Sequence, residues 1–198
     1  MKSIFSVILL SGILILQSCK KDSAPAEQED FSSFLAAGEH SFNGKISDST
    51  VSWIYGYYFQ LGYYYGTTTA SGQPEKKLSF YLLSNEVSGP QLQISIPKYP
   101  VGSNELFSNI LLPGDKIMGP EFEQFFLRLR LQGVTYTTQG EQAGSRLRIL
   151  KIEKQIDGIG RDIVKVWFSV NCKFFTPGGA YAFSVKDGKL LASFLYNL

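Results

Sequence analysis

The chain has 198 residues and is nearly charge-balanced, with 19 Lys+Arg against 17 Asp+Glu, a single His and two Cys. A net charge of +2 gives no reason to expect a nucleic-acid partner. One histidine excludes histidine-rich metal sites, and two cysteines permit at most one disulfide. Aromatic residues make up 14% of the chain and Gly occurs 19 times, a composition that leans towards β structure with many turns.

In chain order, Met1-Lys2-Ser3 is a short basic start, followed by an apolar run from Ile4 to Leu16. That run is shorter than the roughly 20 residues a spanning helix needs, and it matches the apolar region of a signal peptide. Leu16-Gln17-Ser18-Cys19 follows. It resembles the lipobox of bacterial lipoproteins, with Leu at −3, a small residue at −1 and Cys at +1. Gln17 departs from the usual small or hydroxyl residue at −2. The resemblance implies a cleavable signal peptide over residues 1–18 and diacylation of the Cys19 thiol with palmitate-type chains. It also implies a stable membrane anchor, because acyl burial contributes about 0.8 kcal/mol per CH₂. Cys19 is then committed to lipid, which leaves Cys172 without a partner. Residues 19–30 hold Lys, Asp, Glu, Ser, Pro and Ala, with no larger apolar side chain after Cys19. They are expected to form a disordered tether. Lys20 stands where the enterobacterial rule places Asp to keep lipoproteins at the inner membrane, so outer-membrane anchoring is expected, the face unresolved.

Residues 31–198 read as a single β domain. Alternation of period two runs through Val51–Gly66, Lys77–Leu83, Gln91–Ile96 and Ile163–Phe174. The first of these is a strand or a strand pair. In the last, Val164, Val166, Phe168, Val170, Cys172 and Phe174 share one face. Asn43-Gly44, Asp157-Gly158 and Asp187-Gly188 supply the positive φ of tight turns. A two-residue turn at Asp187-Gly188 would pair Val185 with Leu190, Phe183 with Ala192 and Tyr181 with Phe194. Asp157-Gly158 falls in a longer loop, Ile156–Arg161. Ser103–Gln124 is the least regular stretch, broken by Pro113 and Pro120, with room for a short helix at Asn104–Ile110. The expected fold is an all-β, antiparallel sandwich of about eight strands, with a lipocalin-like β-barrel as the alternative.

The lipobox with Cys-Lys-Lys-Asp, the short tether and an early Asn43-Gly44-Lys45 with Trp53 soon after resemble small lipoproteins of the Bacteroidota type. Leu147–Glu153, Val166–Val170 and Val185–Leu190 are similar to uncharacterised β-rich domains of such proteins. The resemblance implies a fold and a cell-envelope location, and no activity.

Two strands carry alternating arginines, Arg128 and Arg130 in Gln124–Gln132, and Arg146 and Arg148 in Ser145–Ile149. A hairpin turning near Thr138 would set Arg128 opposite Arg148 and Arg130 opposite Arg146. Like charges so placed are destabilising and call for neighbouring carboxylates, such as Glu123 or Glu153, or for a bound anion. Arg suits bidentate contact with carboxylate, sulfate or phosphate, so this is a candidate face for an acidic glycan or a lipopolysaccharide phosphate. Tyr58 and Tyr64 alternate with Gly56, Gly62 and Gly66 and could stack on sugar rings. Cys172, between Val170 and Phe174 on the apolar face, is expected to be an inert buried thiol. His40 is expected in a loop or at a strand edge.

There is no nucleophile elbow, phosphate loop, Rossmann fingerprint, CxxC or EF-hand, and no cofactor, catalytic residue or metal is expected. The expected function is a non-enzymatic envelope lipoprotein that binds a glycan or another envelope component. An interaction subunit docking on a membrane-protein partner is the alternative. A hydrolase with a dispersed site would need two carboxylates in a pocket, or His40 beside a hydroxyl.

Overall fold

The structure, a computed structural model, describes residues 40–54, 59–66, 74–84 and 89–197. The signal peptide, Cys19, the tether and Tyr58 lie outside the described residues. No described helix is long and apolar enough to cross a membrane.

Among the described residues twelve strands form, all paired antiparallel. One layer runs in the order β2 (Ser49–Ile54), β1 (Ser41–Ile46), β12 (Tyr181–Asn197), β11 (Asp162–Phe175), β10 (Arg146–Ile156), β7 (Gly114–Lys116). The other runs β3 (Phe59–Gly66), β4 (Glu75–Leu83), β5 (Gln91–Ser95), β8 (Phe126–Leu131), β9 (Val134–Thr137), with β6 (Tyr99–Pro100) beside the start of β4. A single pair, Phe175 with Thr137, joins the two layers into one continuous sheet bent over on itself. The path ends at β2 and β3, so it does not close, and the barrel alternative is not the fold. The strands outnumber the expected eight because β6, β7 and β9 are two to four residues long, too short to display alternation. Val51–Gly66 resolves into β2 and β3, one in each layer, which do not pair with each other.

The inward faces are those the alternation marks. Leu78, Phe80 and Leu82 of β4, and Val164, Val166, Phe168 and Val170 of β11, are fully buried. Across the interior the side chains of β4 meet those of β12, the neighbour of β11 in its own layer, whose Leu190, Ala192 and Phe194 are equally enclosed. Tyr136 stands edge-on to Phe183 across the layers at 5.0 Å. Segment 101–125 closes one end. Its single helical turn, Leu106–Ile110, buries Leu106 and Ile110 and sets Phe107 edge-on to Tyr196 at 4.9 Å.

The loop at Asp157 falls where expected, but its positive φ is at Gly160, 86°, rather than in Asp157-Gly158. Its carboxylate accepts from the N–H groups of Ile159 and Arg161 and from the Arg161 guanidinium, which hold the acid below its ordinary range. The other two dipeptides do not form hairpins. Asp187-Gly188 lies within the 17-residue β12, and Val185 pairs with Cys172 and Ile46 rather than Leu190. Asp187 takes φ 52°, and the registers of both β1 and β11 shift there, so the dipeptide is a β-bulge. Asn43-Gly44 lies inside β1, facing that bulge. A Cβ on Gly188 would meet the Val170 carbonyl oxygen at 2.7 Å, and one on Gly44 would meet Gly188 Cα at 2.9 Å. The glycines answer the close approach of three strands. The tight turns fall instead at Ser47 and at Gln132-Gly133, where the latter pair has φ 48° and 81°. Two consecutive positive φ values suit the two-residue hairpin between β8 and β9.

Candidate ligand-binding site

The four arginines do not meet as pairs. β8 lies between β5 and β9, so Arg128 stands between Gln93 and Thr137, and Arg130 between Gln91 and Thr135. β10 lies between β11 and β7, so Arg146 stands opposite Asn171, and Arg148 between Ser169 and Asp115. The hairpin expected between them fails because each strand finds its own closer partner in sequence, β9 after Gln132-Gly133 and β11 after Asp157-Gly158.

Each pair has its own carboxylate, and neither is Glu123 or Glu153, which bind Lys98 and Lys151. Asp115 of β7 takes Arg146 at 2.9 Å and lies 3.9 Å from Arg148, in an exposed setting. Glu121, on the loop that folds over the outer face of β4, β5 and β8, takes Arg128 at 2.9 Å. Beneath that loop the sheet face is sealed, leaving Ser79, Gln93 and Ser95 buried. The Gln93 amide donates to Glu121 Oε1 at 2.7 Å and to Ser95 Oγ at 2.9 Å, while its carbonyl accepts from Arg128 at 2.8 Å. Ser95 donates to Glu121 as well, at 3.1 Å, and shares a hydrogen bond with Ser79. Each buried polar group in the set is thus satisfied. The guanidinium of Arg128 is held on two sides, by Gln93 and by Glu121, which commits two of its five N–H donors.

Beyond Arg128 the face opens into a pocket of about 230 Å³ lined by Tyr81, Gln91, Gln93, Arg128, Arg130 and Thr135. Arg130 is exposed and has no ion-pair or hydrogen-bond partner among the described residues. Two residues apart on one strand, the two arginines lie roughly 7 Å from each other along it. The pocket therefore presents one fixed and one unpaired cation, two neutral amides, a hydroxyl and an aromatic ring. Such a set favours an anion with further hydroxyls, for which Arg offers paired donors. The alternation in β8 flags both arginines. Gln93 and Tyr81, which line the pocket, and Glu121, which holds Arg128, escape sequence reasoning because they come from other segments.

Tyr64 lies in β3, in register with Lys77 at the edge of the same layer. Cys172 is buried, and burial pushes its thiol far above the ordinary range. His40 is buried rather than at a free edge. Its Nε2 and the Ser193 hydroxyl share a hydrogen bond of 2.6 Å, and its ring packs on Phe80 at 5.0 Å. Burial, with Lys165 adding a smaller effect, lowers its pKa to about 4, so the ring is neutral near pH 7. Ser193 is fully buried, and no group of three or more His, Cys, Asp or Glu among the described residues could hold a metal ion. The chain was compared with known protein families, with curated proteins and with solved structures, and none of the three comparisons finds a match.

Proposed function

We propose that this is a membrane-anchored, non-enzymatic lipoprotein of the cell envelope that binds an acidic glycan or a similar anionic envelope ligand. The anchor is Cys19, and the outer membrane is its expected location. The observation that carries the binding reading is the unpaired Arg130 in a pocket whose other cation, Arg128, is immobilised by Gln93 and Glu121. A preorganised cation loses little freedom on binding, and an unpaired one gains a partner without breaking another. The pocket's size suits one charged group with part of a sugar ring rather than a long chain.

A glycan array probed with the mature chain tests this. Acidic glycans should bind, and Arg130→Ala should lower that affinity about tenfold, the loss of one charge-assisted contact. Arg146→Ala should leave it unchanged. Equal binding of acidic and neutral glycans by wild type, or no effect of Arg130→Ala, would overturn the assignment. Mass spectrometry of the mature N-terminus tests the anchor, which predicts a diacylated Cys19.

The alternative is an interaction subunit, favoured by the terminal strands β2 and β3, each with one edge unpaired among the described residues. Cross-linking on intact cells would recover a partner through β2 if that reading holds. Of the two hydrolase arrangements, a histidine beside a hydroxyl is met by His40 and Ser193, and the burial of Ser193 weighs against that one. Labelling of Ser193 by a fluorophosphonate probe would reverse that judgement.

A further inference from the structure

The outer face of the first layer differs at its two ends. Near the β10–β11 turn, Trp167 and Leu191 form a small apolar cluster of their own. There Lys151 lies over the Trp167 ring at 4.7 Å and also pairs with Glu153. At the other end, around the bulge in β12, cations crowd together. Register puts Lys45 directly opposite Lys186, and Arg148 and Lys189 both opposite Ser169. Arg146 and Lys173 complete the group one step further along β10 and β11. The carboxylates beside them are Asp115, bound to Arg146, and Asp187, 3.3 Å from Lys45. Lys173 and Lys186 have no ion-pair partner among the described residues.

Three of these groups, Arg146, Lys173 and Lys186, edge a shallow groove of about 380 Å³, in which Ser145, Asn171 and Ser184 also offer donors. Two lysines directly opposite across a strand pair repel each other, and only one of them has a carboxylate. An anionic surface laid against this end would relieve the repulsion.

We propose that this basic end of the first layer docks on the anionic phospholipid headgroups of the membrane that holds the lipid anchor, a lipid phosphate occupying the groove. The proposal rests on the lipidation reading for its location. From Cys19 the chain reaches the first described residue, His40, at the head of β1, a strand of this same layer whose Ser41 pairs with Leu191 at the Trp167 end and whose Lys45 lies at the basic end. The 20 intervening residues can reach at most about 70 Å, so the anchor confines the domain near the surface without orienting it. Clustered basic residues beside an anchor supply that orientation. The Arg130 pocket lies on the outer face of the opposite layer, so this docking turns the pocket away from the membrane and towards its ligand.

The mature lipoprotein, reconstituted on phosphatidylcholine vesicles with or without about one-third phosphatidylglycerol, provides the test. Acetylation of lysines by an amine-reactive ester is followed residue by residue. Lys45, Lys173 and Lys186 should react about threefold or more slowly on the anionic vesicles, an effect erased by high salt. Lys77 and Lys98, away from the basic end, should react equally on both. Lys173→Glu/Lys186→Glu, with its fold checked by circular dichroism, should abolish the protection at Lys45. Equal rates on both vesicles, or protection spread evenly over both layers, would overturn the proposal. So would protection by millimolar inorganic phosphate on neutral vesicles, which would make a free anion the occupant, or protection by an acidic polysaccharide alone. A chain that fails to float with neutral vesicles would refute the anchor instead. Flotation with the anionic ones would then test the face alone, and failure there would overturn it.

Discussion

The two outer faces of the sandwich carry the same kind of strand and treat it differently. β8 and β10 both alternate leucine or isoleucine with arginine, and in both the apolar side chains beside the arginines, Leu127 and Leu129 in one and Leu147 and Ile149 in the other, are buried. On the second layer a loop folds over the face, and Glu121 ties Arg128 into a buried network with Gln93 and Ser95. On the first layer no such lid covers the arginines among the described residues, and Asp115 bridges them from an exposed position on a three-residue strand. One carboxylate organises a pocket, and the other only softens a basic surface. The distinction is one of burial, which decides whether water is available to replace a lost partner.

Acid offers the largest effect, and it acts on neither arginine face. His40 has a folded pKa of about 4 against 6.5 unfolded, so between those values the unfolded chain binds more protons. Stability should fall as pH drops from 6.5 towards 4, by about 3 kcal/mol in all, and change no further on this account below that. Urea titrations across this window should show that slope, and His40→Gln, which can still bond to Ser193, should flatten it. A slope that persists in His40→Gln would move the acid sensitivity to the carboxylates of the two faces.

Next comes the bulge that shapes the basic end. Gly188→Val would drive a side chain into the Val170 carbonyl, and about 2–3 kcal/mol of destabilisation is expected by thermal or urea unfolding. A neutral outcome would mean that the three strands can move apart there.

The direct comparison is Glu121→Ala against Asp115→Ala. Loss of Glu121 strands the Gln93 amide and Ser95 beneath the loop and should cost about 2 kcal/mol. Loss of Asp115, whose pairs are exposed, should cost less than about 1 kcal/mol, and less still at high salt. Equal costs for the two would erase the distinction between the faces. The smallest effect concerns Cys172. Its buried, strongly disfavoured thiolate should leave it inert to a thiol reagent in the native protein and reactive at the ordinary rate in urea.

Much of the fold is legible in the sequence, and the misses share one cause. Period-two alternation identifies β4, β5, β8, β10 and β11 with their inward faces, because alternation is a local consequence of the pleat. The Asp157 loop is legible for the same reason, its bonds lying within five residues. Asp187-Gly188 misleads because a positive φ, here at Asp187, serves a hairpin and a bulge equally, and Asn43-Gly44 misleads because its glycine answers a close approach of strands rather than a positive φ. Strands β1 and β11, flanking both halves of β12, select the bulge. The opposed arginine pairs fail likewise, since alternation says which face a residue takes and nothing about which strand lies beside it.

By itself, then, the sequence determined the all-β class, the single apolar core, the sealed position of Cys172 and the four arginines as outward-facing charges, since each depends on a local period or composition. It is also the sole source of the expected signal peptide and lipidated Cys19, which lie outside the described residues. Tertiary structure alone decided that the sheet bends into two layers joined at Phe175 and Thr137, that Glu121 and Asp115 are the arginines' partners, and that Arg130 is left unpaired beside a pocket. Those outcomes depend on contacts between segments distant in the chain, and a carboxylate's reach across a folded surface leaves no trace in the spacing of its neighbours.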